Sequence, residues 1–139
     1  MSGWFDNTNI TLINCDKFDD KEPWLLNDKR CSFVLVYAEW CGHCNNLKPD
    51  FIKFAEKAQF IHTYAINSED NENLLKRINN DKKAPFKIQG YPTILIYSNG
   101  KFKEEYKGEH NWQALLHKAM KVCKENCNCS DNKKKSKSL

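Results

Sequence analysis

The apolar residues fall into two rhythms whose alternation lays out the fold. Phe33-Val34-Leu35-Val36-Tyr37-Ala38 is a continuous apolar run rich in β-branched residues, the pattern of a strand covered on both faces, as in a parallel sheet. From Cys44 to Ala58 the rhythm changes. Leu47, Phe51, Phe54, Ala55 and Ala58 recur at helical spacing, which predicts an amphipathic helix with Pro49 as an internal kink. Phe60 to Ile66 returns to strand character, and Glu69 to Asn79, carrying Leu74, Leu75 and Ile78, reads as a second helix. Two strand-like runs, Thr93 to Tyr97 and Lys101 to Tyr106, flank Ser98-Asn99-Gly100; Asn-Gly in that setting is a strong hairpin signal. Trp112, Leu115, Leu116, Ala119 and Met120 predict a last amphipathic helix. Upstream, Asn9 to Ile13 suits a short first strand. Asp19-Asp20 ahead of Pro23-Trp24-Leu25-Leu26 suits a short helix, with acids near its positive end and proline in its first turn.

The resulting order, β-α-β-α-β-α-β-β-α, is an α/β fold with a mixed central sheet flanked by helices. One domain is expected over residues 1–130, long enough to bury its own core, with residues 131–139 as a disordered Lys/Ser-rich tail. The net charge of +4 is mostly a property of that tail, because Asp131 to Leu139 holds four lysines and one aspartate. The remaining, nearly neutral domain has no basic footprint for nucleic acid. No apolar run approaches the ~18 residues of a membrane span, and no basic segment followed by an apolar one opens the chain. The expectation is a monomer that stays in the cytosol by default, without membrane contact.

Seven cysteines are many for such a chain. In a reducing compartment they argue for catalysis or metal binding rather than a disulfide framework. Cys15 and Cys31 read as small buried hydrophobes. Cys123, Cys127 and Cys129 read as unpaired thiols, the alternatives being a zinc site completed by His117 or a tail that exchanges with a redox pair. His62 reads as structural, and Trp4, Trp24 and Trp112 as residues of the core or its rim.

The remaining two cysteines carry the chemistry. Cys41 falls just after the buried strand, at the first turn of the helix, where partial positive charge and unpaired N–H groups lower a thiol's pKa. The thiolate is the species that attacks a disulfide, so this placement makes Cys41 the nucleophile. Cys44 lies deeper on the same helix and within reach, placed to resolve a mixed disulfide by attacking back. A proton on His43, between them, would favour the thiolate further. A metal-binding C-x-x-C is the competing reading, but a structural zinc site needs four ligands and no second C-x-x-C exists.

Tyr37 to Pro49, around Trp40-Cys41-Gly42-His43-Cys44, resembles the active site of the thioredoxin superfamily. The Gly-His pair is similar to that of protein disulfide isomerase domains, whereas Glu39 resembles thioredoxin. Gly90-Tyr91-Pro92-Thr93 resembles the family's cis-proline segment, and Tyr106-Lys107-Gly108 the turn after its last strand. The resemblance, from about Asn9 to Lys121, implies a protein thiol–disulfide oxidoreductase without a cofactor or metal. Its partners would be cysteine-containing protein substrates and a thiol reductant or oxidant. It implies that Trp40, Gly42, Tyr91 and Pro92 form the substrate surface, with Pro92 cis and leaving main-chain groups free to pair with an extended client. Two departures stand out. Leu35 occupies the place of the family's buried acid, which implies slower resolution by Cys44, and His110 stands where isomerase domains carry Arg. An insertion, Asn79 to Phe86, offers an extra wall beside the groove. The alternative function is a redox-sluggish module that binds client proteins.

Overall fold

The order of elements follows from where each apolar stripe finds cover. In the computed structural model, which describes residues 3–127, the strands are β1 (Thr11–Leu12), β2 (Ser32–Tyr37), β3 (His62–Asn67), β4 (Thr93–Ser98) and β5 (Lys101–Glu105). The helices are α1 (Gly42–Lys57), α2 (Glu72–Asn80) and α3 (Trp112–Cys127), with short 3₁₀ turns at Cys15–Lys17 and Glu69–Asn71. The sheet runs β1-β3-β2-β4-β5. β1 and β2 are parallel to β3, β4 is antiparallel to β2, and β5 is antiparallel to β4. The expected mixed sheet is therefore present, with the most apolar strand in its middle. All six residues of β2 are buried.

Successive side chains of a strand point to opposite faces, and β2 divides the core accordingly. Phe33, Leu35 and Tyr37 join α1 and α3 in one cluster, with Leu47, Phe51, Phe54 and Leu115. Val34 and Val36 join α2 in the other, with Leu74, Leu75 and Ile78. Among the described residues no helix is long and apolar enough to cross a membrane.

The hairpin at Asn99-Gly100 is a tight turn with positive φ at both residues, 55° and 79°, which matches the twist of the flanking strands. A Cβ at Gly100 would stand 2.7 Å from the Leu26 carbonyl oxygen, so glycine is required there for conformation and for space.

The helix expected over Asp19 to Leu26 does not form. The Asp19 carboxylate instead accepts the Lys21 and Glu22 main-chain N–H groups at 3.0 and 2.9 Å, a local turn that competes with helix. Leu26 then donates its N–H to Gly100 O at 2.9 Å, and Phe18, Trp24 and Leu26 enter the second cluster. Tertiary burial, not local propensity, decides this segment. α1 runs as one helix through Pro49, although proline withholds the N–H that Asn45 O would accept. The inserted segment turns Phe86 toward Phe102, with ring centroids 4.7 Å apart. The Asn79 carboxamide pins it by bonding both the N–H and the C=O of Ile88.

Three cysteine expectations are overturned. Cys15 is exposed, because it lies on a surface 3₁₀ turn with no buried residues. Cys31 is buried but forms a disulfide with Cys123 across 92 residues of sequence. That bond also overturns the unpaired reading of Cys123 and removes its sulfur from a zinc set with His117. Long-range pairing of this kind leaves no mark in local spacing. Cys129, the side chain of Cys127 and residues 128–139 lie outside the description. His62 is structural, as expected: its Nδ1 and the Tyr64 hydroxyl both bond the Asp28 carboxylate. Trp24 is buried, and Trp4 stacks on Tyr37 at 5.0 Å.

Candidate active site

β2 delivers the chain to the C-terminal edge of the sheet, and four residues separate its end from the start of α1. Cys41 is the residue immediately before α1, in extended conformation (φ −87°, ψ 122°). Its N–H donates to Ala38 O at 3.2 Å, and its C=O accepts the Asn45 N–H at 3.0 Å. At this helix-capping position a side chain with acceptor character meets the free N–H groups of the first turn. Here the side chain is a thiol. The main-chain N–H of Cys44, the Cys44 thiol and the main-chain N–H of His43 all stabilise its anion, so the Cys41 pKa lies below that of an ordinary thiol despite opposing desolvation.

Cys44, one turn into α1, is only 2% exposed and belongs to the core cluster of Phe33 and Leu35. Burial pushes its thiol up to about 12, and the neighbouring Cys41 adds to the shift, against a main-chain hydrogen bond from Ala38. Both cysteines are free thiols. One helix turn thus carries an accessible, readily ionised sulfur and a buried, firmly protonated one.

The opposite wall comes from the segment before β4. The Tyr91–Pro92 peptide bond is cis, as the resemblance implies. The Cys41 thiol donates to Tyr91 O at 3.4 Å. The Trp40 and Tyr91 rings meet edge to face with centroids 6.1 Å apart, and Trp40 is 67% exposed. A Cβ at Gly42 would meet nothing within 4 Å, so the approach over the helix start is open. His43 is exposed beside it. All seven singled-out residues, Trp40 to Cys44 with Tyr91 and Pro92, therefore come together at one edge of the sheet.

Two further residues belong to the site's framework. Leu35 is 1% exposed, between Ala65 and Ile94 in the sheet register, and shares the Cys44 cluster. Among the described residues no Asp or Glu is buried to take its place. Asn45 escaped the sequence reading. Its carboxamide Nδ2 donates to Glu39 O at 3.0 Å and to Cys41 O at 2.9 Å, binding the strand-to-helix loop to the first turn of α1. The usable signal was an Asn one turn beyond Cys41, since Asn side chains readily bond nearby main chain.

The thioredoxin family model matches residues 9–121. The chain belongs to the thioredoxin family. It is 31% identical over 117 residues to a protein disulfide-isomerase of Triticum aestivum, covering 77% of this chain and 20% of that protein. It is 28% identical over 114 residues to protein disulfide-isomerase 1 of Dictyostelium discoideum, covering 78% and 28%. The chain thus spans about a fifth to a quarter of the length of these relatives. Among solved structures, the J-Trx1 fragment of ERdj5 superposes with a TM-score of 0.71 at 23% identity, over 87% of this chain and 55% of that one. Thioredoxin f2 of Chlamydomonas reinhardtii gives 0.61 at 19%, over 81% and 94%. These two likenesses establish the shared thioredoxin fold.

Proposed function

We propose that this thioredoxin-family chain is a protein thiol–disulfide oxidoreductase, a monomer acting as one domain over residues 1–130. The observation that carries the reading is the split between the two thiols, Cys41 lowered and Cys44 raised. The Cys41 thiolate attacks a client disulfide, forming a mixed disulfide and releasing one client thiolate. Cys44 then gives up its proton and attacks Cys41 Sγ, releasing the second client thiolate and leaving Cys41–Cys44 oxidised. Two electrons have passed to the client. Run backwards, the same steps place a disulfide in a client dithiol, and a small thiol or disulfide resets the pair.

His43 contributes its main-chain N–H to the thiolate, Gly42 keeps the approach clear, and Trp40 and Tyr91 flank the client. Pro92, lacking an N–H, leaves the Tyr91 carbonyl beside Cys41 for an extended client strand. Replacing the resolving cysteine tests the assignment. Cys44→Ser should accumulate mixed disulfides on Cys41 with a cysteine-containing client, and Cys41→Ser should accumulate none. Equal trapping by both variants overturns it.

A second reading rests on Leu35. Without a buried acid to take the Cys44 proton, resolution is slow, and the fold serves chiefly to hold clients. A Cys41→Ser/Cys44→Ser variant that retains full function in its native setting favours this reading over the first.

A further inference from the structure

Cys31–Cys123 is a covalent cross-link within the described residues that the candidate active site does not use. Its Cα atoms are 5.7 Å apart, and the two residues are 7% and 0% exposed, within the core cluster shared by α1 and α3. Cys31 immediately precedes β2, and its C=O accepts the His62 N–H at 3.1 Å, so it is fixed to the start of the sheet. Cys123 lies on the inner stripe of α3 with Leu115, Ala119 and Val122, positions that share one helical face.

The two ends of α3 are therefore held by different means. At its start, Asp50 of α1 accepts the Trp112 N–H at 3.0 Å. Toward its far end, Val122 and Cys123 are buried, and the disulfide ties that end to β2.

Cys31 and Cys41 stand at opposite ends of β2. Its six residues separate them by about 20 Å at ~3.3 Å per residue, so Cys41 cannot reach this disulfide within one molecule. A thiolate from solution is kept out by burial, because exchange needs access to a disulfide sulfur and both sulfurs belong to buried residues.

We infer that Cys31–Cys123 is a second thiol–disulfide couple, isolated from Cys41/Cys44, that latches the far end of α3 onto the sheet and exchanges only when that end opens. Closing it consumes two protein thiols and one small-molecule disulfide of the glutathione type, and yields the protein disulfide and two small thiols. Opening reverses the balance, with a small thiol or dithiol as the reductant. The inference does not rest on the proposed activity, since reduction and opening are measurable without a client.

The test uses the full chain carrying Cys41→Ser and Cys44→Ser, oxidised with glutathione disulfide and then treated with dithiothreitol. Alkylation and peptide mass mapping follow the Cys31–Cys123 bond, and hydrogen exchange follows α3. The bond should be present after oxidation. Its reduction in native buffer should be about 100-fold slower than that of Cys41–Cys44 in the unsubstituted chain, because it must wait for local opening. Once it is reduced, amides of the second half of α3 should exchange at least about tenfold faster while those of β2 hold their protection. The melting temperature should fall by roughly 10 °C, as a 92-residue loop is released. A Cys31→Ala/Cys123→Ala chain should show the lower melting temperature with or without reductant. Should that chain fail to fold, reduction of the other still decides. Free thiols at Cys31 and Cys123 after oxidation, reduction as fast as that of Cys41–Cys44, or unchanged exchange in α3 would each overturn the latch.

Discussion

The Cys41 and Cys44 thiols lie within hydrogen-bond reach of each other, yet their proton affinities diverge. Cys41 is lowered by the first-turn N–H groups and by the Cys44 thiol, while Cys44 is raised to about 12 by burial. Alkylation by iodoacetamide should follow this order. Cys41 should label first, with a half-labelling pH below that of a free thiol, because reaction tracks the thiolate fraction. Cys44 should stay unlabelled through neutral pH. Peptide mass mapping across a pH series reads both, and faster labelling of Cys44 at pH 7 contradicts the assignment.

In the proposed exchange, Leu35 bears on the second step. An acid at this buried position would give Cys44 a proton acceptor, so Leu35→Asp or Leu35→Glu should speed release of a mixed disulfide from Cys41 by about tenfold or more. Formation of the mixed disulfide should change little. The same substitution should cost about 3 kcal/mol or more, since it removes apolar packing and buries an unpaired carboxyl. Stopped-flow release and a denaturant melt examine the two halves separately. A folded variant with unchanged release would show that this position does not serve the Cys44 proton.

Asn45 holds the loop that carries Cys41 through Glu39 O and Cys41 O. Asn45→Ala should raise the half-labelling pH of Cys41 and slow its alkylation at pH 7 about threefold, the worth of a modest hydrogen-bond loss. A role confined to stability would lower the melting temperature and leave that pH unmoved.

Asp28 sets a pH dependence at the opposite end of the sheet. Burial works to raise its pKa, but hydrogen bonds from His62, Tyr64 and the Arg30 main-chain N–H, with the His62 charge, prevail and lower it. A lowered native pKa means stability that is present above the unfolded carboxylate value, about 4, and lost as pH falls through the native one. Asp28→Asn should therefore cost about 2 kcal/mol at pH 7, and the gap to the unsubstituted protein should narrow in strongly acidic solution. Urea melts at pH 7 and pH 3 measure the difference. A gap that is constant between them would remove the ionised carboxylate from the account.

Much of the molecule was legible in its sequence, because its strongest signals are local and periodic. The β2 run, the α1 stripe of Leu47, Phe51 and Phe54, and the Asn99-Gly100 turn each specify an element from neighbours a few residues away. The placement of Cys41 between a buried strand and a helix start follows from the same local patterns, as does the spacing that puts Cys44 one turn deeper. Three features depended on contacts between distant segments and left no such trace. The Asp19 to Leu26 segment has helical signals, but burial of Trp24 and Leu26 beside Gly100 overrides them. Cys31 and Cys123 are 92 residues apart, and only the packing of α3 over the start of β2 brings their sulfurs together. The Cys44 shift likewise requires the core that closes around it, because desolvation belongs to the assembled fold. Periodicity encodes which face of an element is apolar; which faces meet, and which polar atoms they exclude from water, is settled only when the elements pack.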